Sequence, residues 1–329
     1  MALTITCFPA LYGDCFLIDE PECEVRFLVD CGFKLTFQHH IKKKIDSVDF
    51  IILTHSDEDH INGAFPLLNE YPDKFSLKKV YVNSPESIEL PVDSGPISIR
   101  QAKNLVELLR EKEIAFQGLI QGDFIKCSDN ISLEIISPTL AELTPFNEAY
   151  DALDIPVSMN LDVESFDELI KKPDSFPKVE NDIANASSIA FILHYSNKKI
   201  LFLGDSHPEV ISKYLLSKNV SVTEKLRFDY IKLSHHGSSK SISKELLELI
   251  SCSNFIISTN GGKGRSKHPN RETIAKLAKL VDRDGSDYLN LYFNYRVEDI
   301  EVRNGSLLTS QERETHKINC FEQNEIIFE

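Results

Sequence analysis

The chain has 329 residues, 42% of them hydrophobic and 26% charged. That composition excludes a disordered chain, a coiled coil and a collagen-like fibre. The net charge of −15 argues against a general nucleic-acid coat, because phosphate binding needs clustered Lys and Arg.

No apolar run reaches the roughly 18 residues that a membrane-spanning helix needs. The N-terminal MALTITCFPALYGDC lacks the basic and long apolar regions of a secretory signal. TITCF, DCFLID and VRFLVD read as short strands separated by turn residues. Cys7, Cys15, Cys23 and Cys31 fall at even spacing there, as small buried residues of successive strands. The chain has 7 cysteines and no CxxC pair, which excludes zinc ribbons and fits a reducing cytoplasm. Val48–Thr54 (VDFIILT) is an apolar, β-branched run typical of a strand buried on both faces. A polar cluster follows, then INGAFPLLNEY as a helix, KKVYVN as a strand, and Ser98–Glu113 as an amphipathic helix. His39 and His40 fall in an expected polar loop.

The second half continues in the same style. SLEIISP, SSIAFILHY, KKILFLGD, DYIKLSH and NFIIST predict strands; Pro208–Lys218, Ser243–Ile250 and Pro269–Leu280 predict helices, and YLNLYFNY and DIEVRN close the series. Two strand-rich halves with helices predict two sheets packed face to face. Residues 140–182 carry eleven acids and three bases, and read as an acidic insertion or lid.

The chemistry concentrates after the buried strand, in Thr54-His55-Ser56-Asp57-Glu58-Asp59-His60. A loop leaving a central strand can turn His55 and Asp57 towards one point, while Asp59 and His60 face a second point close by. Such an arrangement suits two metal ions about 3.5–4 Å apart.

THSDEDHING resembles the HxHxDH signature of the metallo-β-lactamase fold, with Asp57 in place of the second histidine. It is more narrowly similar to the hydrolase domain of ComEC-type DNA-uptake proteins and their soluble relatives. Further pieces agree in order: Gly13-Asp14 with the following Cys15–Ile18, Val29-Asp30-Cys31-Gly32, Asn185–Phe191 (NASSIAF), Leu203-Gly204-Asp205, Ser234–Ser238 (SHHGS) and Lys267-His268-Pro269. The resemblance spans roughly residues 3–305.

The resemblance implies an α/β fold, the metallo-β-lactamase αββα four-layer sandwich, with two facing mixed sheets and helices outside. One hydrolase domain would span residues 1–329, with the acidic segment inserted in it. His55, Asp57, Asp59 and His60 would be metal ligands, Asp205 would bridge two metals, and His235 would complete the second site, with His236 as the alternative. The chain has no histidine between His60 and His194, so the family's third histidine for the first metal is missing. Asn185 stands as a substitute ligand or water anchor. An oxygen-rich site favours Mn²⁺ more than a typical zinc site does, so the expected cofactors are two divalent ions, Zn or Mn. Asp30 is expected either to support the site by hydrogen bonds or to cap a strand. Gly13-Asp14 and Gly204 read as turn residues, and His207 as a cap or surface residue.

The loop from Gly261 to Arg271 carries Lys263, Arg265, Lys267 and Arg271, three glycines and no acid. Glycine backbone, cations and a following helix together form an anion site, so these four bases are expected to contact phosphate. The expected function is a metal-dependent phosphodiesterase or nuclease that attacks with a metal-activated hydroxide. Asp59 or Asp205 would orient the attack, and His236 or His268 would protonate the leaving oxygen. A lactone, thioester or β-lactam hydrolase of the same fold is one alternative, and a metal-stabilised non-catalytic module of a multi-protein system is another. The expected partners are a phosphodiester substrate, DNA or RNA among them, and a protein from an operon-encoded system, with no membrane; the expected location is the cytoplasm.

Overall fold

Val48, Phe50, Ile51, Ile52 and Leu53 are all buried, so strand Ser47–Leu53 hides both its faces. Its parallel neighbours are Val25–Val29 and Ser76–Val82. The computed structural model describes residues 2–84, 97–148, 164–263 and 267–329. The first sheet runs, in spatial order, Glu325–Phe328, Leu3–Cys7, Phe16–Glu20, Val25–Val29, Ser47–Leu53, Ser76–Val82 and Ala115–Gln117. The second runs Ile318–Glu322, Leu289–Phe293, Asn254–Ile257, Tyr230–Lys232, Lys198–Phe202, Ala190–Tyr195, Ile131–Ser137 and Phe124–Lys126.

Three apolar cores separate the layers. Residues such as Phe16, Phe27, Phe191 and Phe202 fill the space between the sheets. Leu105, Leu109, Leu67 and Phe37 pack helices outside the first sheet. Leu215, Leu246, Ile274 and Leu277 do so outside the second. In helix Ile97–Glu111 the buried Ala102, Leu105, Val106 and Leu109 follow helical spacing. Burying each leucine contributes about 1.5–3 kcal/mol.

The connections after the parallel strands bring the chemistry to one edge of the sandwich. Asp30 follows Val25–Val29, and Thr54–His60 follow Ser47–Leu53. Asp205 follows Lys198–Phe202, His235 and His236 follow Tyr230–Lys232, and Ser258 follows Asn254–Ile257. Sites at carboxyl ends of parallel strands are the general habit of α/β sheets. The halves are tied there by Ile189 N–H donating to Thr54 O at 2.8 Å and Ser258 Oγ donating to Gly13 O at 2.8 Å.

Several expectations are corrected. DIEVRN is helical, within Val297–Asn304, because Val297 and Ile300 are the buried pair and their spacing is helical. The stretch around His39 and His40 is helical too: Phe37 and Ile41 are buried four residues apart. Strands Ile318–Glu322 and Glu325–Phe328 extend both sheets beyond the anticipated elements. The acidic segment packs in part against the outer layer of the second sheet. Phe166 and Leu169 enter the outer core, Asp174 pairs with Lys276 at 2.9 Å and Asp167 with Lys279 at 2.8 Å. Its residues 149–163 lie outside the described residues. All seven cysteines are unpaired thiols; of the evenly spaced four only Cys7 lies in a strand, with Cys15 just before Phe16–Glu20, Cys23 in the turn after it and Cys31 beyond Val25–Val29.

Candidate metal centre

His60 is completely buried in the short helix Glu58–Ile61. Its Nδ1 lies 2.7 Å from Asp30 Oδ2. The same carboxylate accepts from Thr54 N at 2.7 Å and Thr54 Oγ1 at 2.8 Å. Asp30 therefore fixes both the loop and the ring, leaving His60 Nε2 to point forward. His55 Nδ1 meets Thr54 Oγ1 at 3.1 Å, and its Nε2 also points forward. Asp57 occupies the N-cap of the helix without capping it. Its Oδ2 is instead 3.7 Å from His55 Nε2.

Asp205 lies in the middle. Its Oδ1 is 3.6 Å from His60 Nε2, and its Oδ2 is 3.8 Å from His55 Nε2 and 4.0 Å from His236 Nε2. Asp59 Oδ2 is 3.4 Å from His236 Nε2 and 3.9 Å from His60 Nε2. Two donor sets result, His55 with His60 and Asp205, and Asp59 with His60 and His236. Gly13 permits the second set. A Cβ there would lie 1.9 Å from Asp59 O, so only glycine lets the chain pass so close.

The SHHGS loop decides between its two histidines. His235 (φ 47°) and His236 (φ 55°) are both left-handed, which turns their rings 87° apart. His236 is 2% exposed, its Nδ1 is 3.0 Å from Ser258 O and 3.3 Å from Asp14 Oδ1, and its Nε2 faces Asp59. His235 remains 29% exposed with Nδ1 3.8 Å from Asp205. His236 is thus the member of the pair that groups with Asp59 and His60, whereas His235 lies at the edge of Asp205.

These donors fit divalent ions. Nε2 of His55, His60 and His236 and Oδ1 of Asp205 are buried with no hydrogen-bond partner. Each such atom left unpaired costs about 1–3 kcal/mol, a heavy sum against a folding stability of about 5–15 kcal/mol. Donors about 2.1 Å from one ion lie about 3.4 Å apart in a tetrahedral shell, and the observed separations of 3.4, 3.6 and 3.8 Å lie close to that spacing. The field has the required sign. Burial opposes a charged imidazole, yet Asp205, Asp30 and Asp59 hold His60 well above the usual histidine range. Burial likewise opposes charge on Asp205, yet the surrounding imidazoles hold it well below the usual carboxylate range.

The metallo-beta-lactamase superfamily model matches residues 9–259. The chain belongs to the metallo-beta-lactamase superfamily. ComE operon protein 3 of Bacillus subtilis (strain 168) is 22% identical over 287 residues, covering 81% of this chain. The match spans 29% of that relative's length. The metallo-beta-lactamase fold protein YhfI from Bacillus subtilis matches at TM-score 0.47 and 11% identity, over 100% of this chain and 99% of YhfI. A diphosphatase of the PhnP family matches at TM-score 0.46 and 9% identity, over 100% of this chain and 98% of its own.

Within this superfamily site, Asn185 is the missing histidine's substitute candidate. Its Nδ2 donates to Asp182 Oδ1 at 2.8 Å, and its Oδ1 is buried without a partner. Asp182 also meets His207 Nε2 at 2.9 Å, so the acidic segment reaches the site's edge. Lys263 stands over the Tyr12 ring at 5.7 Å from its centroid. Lys267 is half-buried, and Arg265 lies outside the described residues. Arg271 is engaged within the protein. It donates to Glu164 O at 3.1 Å and Leu307 O at 3.0 Å and pairs with Glu312. His268 packs edge-on against His235, 5.1 Å between centroids. Burial and the neighbouring histidines push its imidazole down to about 3. The residues missed from the sequence are Lys232, Ser258 and Asp14, the last expected only as a turn residue. Their only signal is tertiary.

Proposed function

We propose that the chain is a metal-dependent phosphodiesterase, with nucleic acid as the phosphodiester it cleaves. The observation that carries this reading is a cation at the mouth of an oxygen-rich centre. Lys263 lies over the Tyr12 ring, and the chain continues from Tyr12 through Gly13, which packs against Asp59, to Asp14, whose N–H donates to Asp59 O at 3.2 Å. A phosphodiester carries a negative charge in its ground state for that ammonium to meet, whereas a neutral lactone or thioester develops one only during attack.

His55 would help hold one ion, and Asp59, His60 and His236 the other, with the Asp205 carboxylate facing both. Asp57 and Asn185 would complete the first set. Divalent ions there supply Lewis-acid activation of water and charge neutralisation. The chain's own residues do the rest. Asp30 and Ser258 O hold the imidazoles, Asp59 fixes the attack direction, and Lys263 takes the phosphate charge. His235, partly exposed beside Asp205, is placed to donate a hydrogen bond to a substrate oxygen. Seven unpaired thiols favour a reducing compartment, and the ComE operon relative favours work beside a partner protein. No helix among the described residues is long and apolar enough to cross a membrane.

The test is hydrolysis of bis(p-nitrophenyl) phosphate and of labelled single- and double-stranded DNA with Mn²⁺, Zn²⁺ or Mg²⁺. Turnover by the wild type that disappears in His60→Ala supports the reading. Metal-loaded protein that leaves DNA, RNA, cyclic nucleotides and simple phosphodiesters intact contradicts it, and a lactone, thioester or β-lactam screen follows.

A further inference from the structure

Strand Tyr230–Lys232 ends on a lysine that is only 1% exposed. Its Nζ pairs with Asp14, itself 2% exposed. Taking an ammonium into the interior costs several kcal/mol even when paired. An apolar side chain of similar length would serve the core better, so the lysine answers another need.

That need lies one contact further. The second carboxylate oxygen of Asp14 is 3.3 Å from Nδ1 of His236, and His236 Nε2 faces Asp59 at 3.4 Å. The path runs from Lys232 to Asp14, to His236, to the second donor set. The centre gathers the carboxylates of Asp14, Asp30, Asp57, Asp59 and Asp205. Two divalent ions would neutralise four of these five charges, and Lys232 neutralises the remaining one.

We propose that Lys232 is a positioning residue of the metal centre: its ammonium holds the Asp14 carboxylate against His236, and so holds the His236 ring for the second ion. Ser258 O accepts the His236 Nδ1–H at 3.0 Å; the Asp14 carboxylate, 3.3 Å away, adds charge that a carbonyl lacks, and Lys232 keeps that carboxylate in place. The inference rests on the two-ion reading of the centre and not on the identity of the substrate.

The test is a Mn²⁺ titration followed by calorimetry, on the wild type, Lys232→Met, Asp14→Asn and the double variant. Lys232→Met should bind the first ion as the wild type does and the second about 10–100-fold more weakly. The double variant leaves no uncompensated buried charge, so it keeps the experiment informative if either single variant misfolds. Because both residues act through one ring, its loss should match the worse single variant, whereas independent effects add. Second-ion affinity in Lys232→Met within about threefold of wild type, even with a lowered melting temperature, overturns the inference, as do additive losses. A wild type that binds fewer than two ions overturns it together with the two-ion reading, and shows this before any variant is compared.

Discussion

Asp30 Oδ2 stands 2.7 Å from Nδ1 of His60, and the two side chains are 1% and 0% exposed. The buried carboxylate sets the tautomer and aims Nε2 at Asp205. Asp30→Asn keeps the shape and removes the charge. It should weaken metal affinity about 10–100-fold while leaving the metal-free fold intact. Competition with a chromophoric chelator measures the affinity, and circular dichroism checks the fold.

The two adjacent histidines should separate by phenotype. His236→Ala removes a donor whose Nε2 is buried and unpaired, so it should lose one of two ions by elemental analysis. His235→Ala should keep both ions and lose turnover, because its ring lies at the rim near Asp205. The reverse pattern would restore His235 as the ligand.

Gly13 is where the first half touches the metal loop. A methyl group there would meet Asp59 O and also lie 2.9 Å from Asp59 Cβ. Gly13→Ala should destabilise the protein by about 1–3 kcal/mol through overpacking. It should also displace Asp59 and weaken the second ion. Thermal melts with and without Mn²⁺ read both effects, and the gap between the two curves should shrink.

Lys263 and Arg271 belong to one basic loop yet should behave oppositely. Arg271 clamps Glu164, Leu307 and Glu312 and lies over Phe166, 4.9 Å from the ring centroid. Arg271→Ala should cost about 1–3 kcal/mol of stability and spare kcat/KM on a small phosphodiester. Exposed Lys263 should do the reverse: Lys263→Ala should keep stability within about 0.5 kcal/mol and lower kcat/KM. Denaturant melts and steady-state kinetics on the same preparations decide the matter.

The short-range chemistry was legible in the sequence. His55, Asp57, Asp59 and His60 lie in one loop after a buried strand, and the period of the apolar run announces that strand. Asp205 was legible through the Leu203-Gly204-Asp205 element. Asp14 and Lys232 were not, because their meaning arises only when the two sheets bring residues 14, 232 and 236 together. The choice between His235 and His236 depends on two consecutive left-handed residues, which a histidine pair does not reveal. Arg271 looked like its neighbours in the basic loop, and only the Glu312 carboxylate far along the chain removes it from the site. The acidic segment read as a lid from its charge, while Phe166 and Leu169 quietly supplied a packing face.

The most direct measurement is the number of ions per chain, by elemental analysis of Mn²⁺-loaded wild type beside Asp205→Ala. Asp205 is the carboxylate that faces both donor sets, so two ions in the wild type and at most one in the variant are predicted. One ion or none in the wild type, or two ions retained without Asp205, would contradict a centre built around that bridge.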